Sequence, residues 1–287
     1  MTVKRVPSAD ELRLLVSFLN DSSEQTVALA HRELADAVHS QPNLRAVLEQ
    51  WSDPELKSVV REMLEDFRLE DLFLEWETLA RQGVDLDLER GAALLARVAY
   101  PAVDPTLISR SMDEFAEAID DQLDAAEGGS RQAQQIMSRY LFQELGFRGN
   151  TERYDDPDNT FMNRVLERRL GLPITLSCLY LFVGWRLNLP VYGVGLPGHF
   201  IAAHVIEGRP LYIDAFQGGR VLTASDCAQL VRRRGIEFQE RFLFPMSKDQ
   251  ILSRMILNLI TVYTERGHTQ RAQWLGRVLT LLQDTAA

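Results

Sequence analysis

Gly171 to Phe200 reads GLPITLSCLYLFVGWRLNLPVYGVGLPGHF, and two grammars meet inside it. As far as Trp185 the residues are apolar with hardly a break, a run too long for a strand, and it opens on Pro173. Proline suits the first turn of a helix, because the N–H it lacks would have no intrahelical partner there. The run predicts a helix that is apolar all round and therefore buried. From Pro190 the pattern shortens. PVYGVGL, HFIAAHVI and RPLYIDAF are rich in β-branched and aromatic residues and read as three strands, the last two joined by a turn at Glu207-Gly208. A buried helix followed by a small antiparallel sheet sets the fold class as α+β, and the rest of the chain makes it mostly helical.

Outward from this stretch, RQAQQIMSRYLFQELGF predicts a helix, RGNTERYDDPDN a polar loop, and NTFMNRVLERRLG a second helix that ends before Gly171. Downstream, ASDCAQLVRRRG reads as a helix, and SKDQILSRMILNLITVYTERGHTQRAQWLGRVLTLL as two helices around Gly267. That pair has the look of one tetratricopeptide-type unit, which cannot bury its own face and is expected to dock on the rest of the protein. The first half is helix after helix, with Ser-x-x-Glu capping patterns at Ser8 and Glu11 and at Ser52 and Glu55, and stops at Gly83, Pro101 and the Gly128-Gly129 pair. Phe67, Phe73 and Trp76 fall at core spacing. The expected domains are an all-helical 1–129, an α+β core 130–245 and a helical tail 246–287.

At 287 residues, 46% hydrophobic and 25% charged, the chain has the composition of a soluble globular protein with room for more than one packed unit. Polar residues interrupt every apolar stretch before about 18 positions, so no membrane-spanning helix is expected. The N-terminus lacks the apolar region of a secretory signal. Two cysteines, Cys178 and Cys227, are too few for a disulfide framework or a structural zinc site, which points to a reduced, cytoplasmic protein. Residues 1–130 carry 27 Asp and Glu against 12 Lys and Arg, and the remainder 14 against 19. So acidic a first half argues against nucleic acid as a partner. Arg232 to Arg234 read as the basic close of a helix.

Several motifs are decided by one residue each. GVGLPG at Gly193 to Gly198 matches G-x-G-x-x-G, but Pro197 interrupts it and a strand follows where a pyrophosphate site needs a helix N-terminus. Asp156, Asp158 and Glu167 fall at calcium-loop positions one, three and twelve, yet Phe161 occupies the sixth, where the loop needs Gly. Asp158 or Asn159 is instead expected to cap the following helix. His199 and His204 point to opposite faces of a strand and cannot share a metal. His31, His39 and His268 sit in polar helical contexts and are expected to face solvent. No metal or cofactor is expected.

Cys178, His199 and Asp214 remain. A thiol enzyme needs a Cys whose thiolate is favoured and a His oriented by a third group. Equal lengths on either side of Glu207-Gly208 bring His199 and Asp214 within about two residue pairs of each other, a base–orienter geometry.

The quoted stretch together with YIDAF resembles the bacterial SirB-type proteins, a branch of the transglutaminase-like superfamily. FRGNTERYDDPDNTFMNRVLERRLG, LERGAALLARVAYP and the helical tail extend the match to roughly residues 75–285, leaving the first 70 or so as an added helical segment. The resemblance implies a papain-like core, a central helix on an antiparallel sheet. In active members that helix opens with G-x-C-x-x-x-A-x-L, its Cys is the nucleophile, and the His and Asp come from the following strands, where His199 and Asp214 stand here. WRLNLPV corresponds to the closing R-x-x-G-I-P, and counting back sets Gly171 on the Gly, Ser177 on the Ala and Leu179 on the Leu. Pro173 then holds the nucleophile position.

Cys178 lies five residues further on, about 7.5 Å along the axis and about 140° round it. It is expected to be a small buried hydrophobe. The expectation is therefore a non-catalytic transglutaminase-like protein that binds another protein or a peptide, with a cleft lined by Asn163, Pro173, Thr175, Ser177, His199 and Asp214. Asn159, Asn163 and the Arg168-Arg169 pair are expected to clasp the loop before the helix. The alternative is a thiol enzyme, with Cys178 as nucleophile, His199 as base and Asp214 as orienter, carrying out acyl transfer or hydrolysis on peptides or amides. Oligomeric state has no signature in the sequence.

Overall fold

Serine caps open the first two helices. Ser8 Oγ accepts from the Glu11 backbone N–H at 3.3 Å while Glu11 reaches back to the Ser8 N–H at 2.6 Å, the expected capping box, and α1 (Ala9–Phe18) follows. Ser23 Oγ likewise accepts from Thr26 at the start of α2 (Glu24–Ser40), and a proline opens α3 (Pro42–Glu49). The structure, a computed structural model, describes residues 8–54, 56–124 and 129–285. Glu55 and Gly128 lie outside the described residues, and with them the second Ser-x-x-Glu pattern and the paired-glycine boundary.

The chain forms two compact units, Met1–Leu74 and Glu75–Ala287, and α4 (Lys57–Ala80) runs across the division. The first unit is helical, with Val16, Leu34, Leu48, Val60 and Phe67 in its core. Asp71 there receives His39 at 2.8 Å and Arg45 at 2.9 Å.

The second unit continues with α5 (Leu88–Ala99), α6 (Leu107–Asp124) and α7 (Ser130–Ser138), which runs on as a π-helical turn, Arg139–Glu144. β1 (Arg148–Gly149), α8 (Met162–Arg168), β2 (Leu170–Gly171) and α9 (Pro173–Arg186) come next. β3 (Val191–Val194), β4 (Ile201–Ile206), β5 (Arg209–Asp214) and β6 (Arg220–Leu222) form one antiparallel sheet in that order. α10 (Ala224–Arg232), α11 (Lys248–Glu265) and α12 (Thr269–Thr285) close the unit.

Every α9 residue from Pro173 to Gly184 is buried, as an all-round apolar run requires. The helix lies on β3 and β4, with α6, α8 and α11 also packed against it. The approach to the sheet is close: a Cβ on Gly184 would come within 2.6 Å of the Val191 side chain, so any other residue there would push helix and strand apart. At the far end Arg186 ties α9 to its neighbours through Glu89 at 2.7 Å and Asp113 at 2.6 Å. α11 buries Leu252, Met255, Ile256 and Leu259 and packs on α5 as well as α9.

Sequence reading and structure differ at short elements. Three strands were expected and the sheet has four, because β6 is too short to show a period. The parallel pair β1–β2, Arg148↔Leu170 and Gly149↔Gly171, carries no strand-like pattern at all. The capping expectation for α8 is also corrected. Phe161 is its N-cap residue and makes no side-chain cap; Asp156 caps the preceding 3-10 turn instead. Asp158 accepts from the Tyr100 hydroxyl and pairs with Arg164 at 3.1 Å and Arg168 at 3.4 Å, so its charge is used against cations rather than against helix N–H groups.

Candidate functional site

The loop ahead of α9 is pinned by two buried asparagines. Asn159 donates from Nδ2 to the carbonyls of Arg153 (2.7 Å) and Tyr154 (3.2 Å), and its Oδ1 accepts from Asn150 Nδ2 at 2.9 Å. The Asn159 carbonyl accepts from the Leu172 N–H at 3.1 Å, and the Asn150 N–H donates to the Gly171 carbonyl at 3.2 Å. Side chains thus satisfy backbone groups that neither helix nor sheet reaches, and they fix where Pro173 stands. Arg168 adds an ion pair to Asp156 at 3.0 Å. Of the four residues expected to clasp this loop, Asn159 and Arg168 make these bonds, while Asn163 and Arg169 turn to a different cavity.

His199 sits just ahead of β4, on a turn in which its N–H donates to the Leu196 carbonyl at 3.0 Å. Two guanidiniums hold that turn. Arg254 of α11 donates to the carbonyls of Leu196 (2.8 Å) and His199 (2.7 Å), and Arg234 to that of Pro197 at 3.0 Å. A Cβ on Gly195 would strike Met246 and Arg254, and one on Gly198, whose φ is +69°, would strike Arg234. The second and third glycines of G-x-G-x-x-G therefore make room for Met246 and the two arginines.

The strand register sets Ala202 opposite Ile213, which brings Asp214, at the end of β5, close to His199. His199 Nε2 lies 3.0 Å from Asp214 Oδ2, and the carboxylate is almost wholly buried. Asp214 Oδ1 also accepts from the Gln217 N–H at 3.2 Å. A carboxylate on Nε2 favours the proton there and leaves Nδ1 as the free acceptor of the ring. The His199 ring meets Phe216 edge-on, with centroids 6.3 Å apart. The Phe216 carbonyl accepts from the Gly149 N–H at 3.1 Å, and Gly149 pairs with Gly171, two residues before Pro173. This chain of contacts runs from the dyad to the strand that leads into α9.

No sulfur stands at that helix start. Pro173 occupies the first position of α9, buried, after Leu172 in extended conformation. Cys178 lies beyond the first turn and is fully buried, and burial pushes its thiol up to about 12. A thiol in apolar surroundings without a nearby cation is inert. Cys227 on α10 is also buried and pushed up to about 12. Thr175 and Ser177 are fully buried, and their hydroxyls have no hydrogen-bond partner. Asn163 lines a cleft with Tyr100, Phe115 and Arg169 whose walls include neither His199 nor Asp214. The structure joins His199 to Asp214, buries Thr175 and Ser177 fully and sets Asn163 in a different cleft.

Sequence reasoning missed a buried polar pair beneath the sheet. Tyr180 Oη lies 3.0 Å from His204 Nδ1, and His204 Nε2 has no partner. Burial pushes the imidazole down to about 4. A histidine on an otherwise apolar strand was its only signal. Among the described residues no group of His, Cys, Asp and Glu could hold a metal ion, and no helix is long and apolar enough to cross a membrane.

Comparison with known proteins agrees with this geometry. A model described as "Transglutaminase-like superfamily" matches residues 106–257. A UPF0162 protein of Xylella fastidiosa (strain 9a5c) is 34% identical over 215 residues, which covers 72% of this chain and 76% of that protein. The UPF0162 protein of Vibrio cholerae is 38% identical over 150 residues, 51% of this chain and 56% of its own. Human F-box only protein 21 is 33% identical over 153 residues, 50% of this chain but 24% of that protein. No solved structure matches. With a central helix on an antiparallel sheet, a histidine–aspartate dyad at one end of that sheet and relatives of this extent, the chain belongs to the UPF0162 family within the transglutaminase-like superfamily.

Proposed function

We propose that this protein is a non-catalytic member of the superfamily that works as a binding or regulatory module for another protein or a peptide. The observation that carries the reading is Pro173 at the first position of α9, the position that the family pattern gives to the cysteine of active members, in a chain whose His199–Asp214 pair is still joined at 3.0 Å. A nucleophile has to stand where the unpaired N–H groups of the helix start and the imidazole can favour its anion. Proline supplies no such atom, and Cys178 is in the apolar interior. What remains is an imidazole with Nδ1 unengaged and Nε2 held by a carboxylate, fit to hydrogen-bond a peptide or side-chain donor. The recurrence of the matched region as about a quarter of a longer chain, F-box only protein 21, supports a module joined to other segments.

The test pairs the native protein with Pro173→Cys. The native protein is expected to show no amine incorporation into glutamine peptides and no hydrolysis of fluorogenic peptide amides. In Pro173→Cys the new thiol should alkylate with a midpoint below the ordinary cysteine value of about 8.5, and His199→Ala should remove that shift. Turnover by the native protein that Cys178→Ala abolishes would overturn the reading.

A further inference from the structure

Away from His199, the end of α5 and the turn after it, α6 and α8 enclose a cleft of about 720 Å3. That volume is in the range of small-molecule sites. Tyr100, Leu107, Phe115 and Leu166 make its apolar wall. Two polar groups on α8 and at its end are unusual. Asn163 is 8% exposed and lines the cleft, yet its Oδ1 has no hydrogen-bond partner. A buried acceptor left unpaired is costly, so a native structure that keeps one generally has a use for it.

Arg169 is the second. It closes α8 in the left-handed region, φ 60° and ψ 19°, where glycine is at ease and an arginine is strained. Strain held at a polar residue is a pointer to function. Its guanidinium lies 4.5 Å from the Phe147 ring centroid and 5.8 Å from that of Phe115. Arg164 and Arg168, on the same helix, pair with Asp158 and Asp156. Among the described residues no carboxylate pairs with Arg169, and burial lowers its pKa. Glu114 and Glu167 also line the cleft, but both are exposed, and Glu167 already pairs with Arg164. Their charges are screened by solvent, whereas that of Arg169 is half-buried.

We propose that this cleft binds a small monocarboxylate with an apolar body and an N–H donor, the chemistry of an N-acylated hydrophobic amino acid. The carboxylate meets Arg169, the side chain lies against Phe115 and Leu166, and the N–H meets Asn163 Oδ1, which is sealed in the free protein and reaches the ligand when the amide turns toward the cleft. A bidentate guanidinium–carboxylate contact supplies the specificity. The same chemistry occurs in a free acyl amino acid and at the C-terminus of a peptide.

Titration calorimetry on the whole chain distinguishes these sources, with N-acetyl-L-phenylalanine, its carboxamide, and an N-acetyl tetrapeptide ending in phenylalanine with a free carboxylate. Saturable binding of the acid is expected, and the carboxamide should bind at least about tenfold more weakly, the loss of one charge-assisted contact. Arg169→Gly, which suits the left-handed backbone, should weaken the acid by a similar factor, and Asn163→Leu should weaken both acid and carboxamide. A tetrapeptide that binds more tightly than the free acid supports the site with a peptide C-terminus as its source; equal or weaker binding supports it with the free acid. Absence of saturable binding by either carboxylate overturns the proposal, as does a carboxamide that binds as well as the acid, a comparison that needs no variant.

Discussion

Alkylation of Cys178 with iodoacetamide separates the two readings of this fold by orders of magnitude. Only the thiolate reacts. A thiol titrating at 9.0 is about one-tenth ionised at pH 8, whereas one pushed up to about 12 is ionised in about one molecule in ten thousand. The difference is roughly a thousandfold in rate, before the reagent's access to a fully buried side chain is considered. The assay follows labelling of the Cys178 and Cys227 peptides by mass spectrometry from pH 6 to pH 10, in native buffer and in urea. Cys227, also pushed up to about 12, is an internal reference on a different helix. Labelling of native Cys178 at pH 8 is expected to be at least about a thousandfold slower than in urea, with no midpoint below pH 10. A native midpoint below 9 that His199→Ala abolishes would refute the reasoning, because the thiol would then stand beside the imidazole and the assignment of Pro173 to the nucleophile position would be wrong.

Three further outcomes follow from groups outside that helix start. His204 is held neutral by burial, with a folded-state value of about 4 against about 6.5 unfolded, so its contribution is intact above pH 6.5 and is lost as pH falls toward 4. The loss across that window is about 3 kcal/mol, and urea titrations of His204→Gln should lack that part of the slope. Asn159→Ala removes three side-chain hydrogen bonds in a fully buried site and should cost about 2–4 kcal/mol in the same measurement; a cost below about 1 kcal/mol would mean that the loop does not depend on them. Arg254→Ala removes the side-chain donor from the His199 carbonyl and leaves that of Leu196 with the His199 N–H, and amide exchange at residues 195–200 should speed up about tenfold or more while β5 stays protected.

How far the sequence could be read depended on how many residues share one signal. α9 was legible because a long apolar run with few breaks favours a buried helix; equal lengths on either side of Glu207-Gly208 showed that His199 and Asp214 fall near each other, while the register that joins them came from the structure. β1, β2 and β6 were not, since two or three residues carry no period. The role of Asp158 was misjudged for a related reason. An aspartate before a helix is a good cap in isolation, but Tyr100 and Arg164 compete for it, one of them 58 residues away in sequence. Asn163 was expected in a cleft with His199 and, together with Arg169, as a clasp on the loop; the cleft the two share is made with α5 and α6, which no local pattern announces.

The hold of Arg254 on the His199 turn bears on how this module can be excised. Arg254 belongs to α11, in the stretch that looks on paper like a detachable tail, and yet it carries two of the hydrogen bonds that position the imidazole. A fragment cut after Met246, where the sheet and its covering helix are complete, would keep His199 and Asp214 and lose the strut behind them. The matched region runs to residue 257 and so retains the arginine, though it leaves α11 unfinished. For expression, grafting or fusion, the workable cut is after α12, and the smallest transferable form of this site includes a helix pair that meets it through the backbone of the His199 turn.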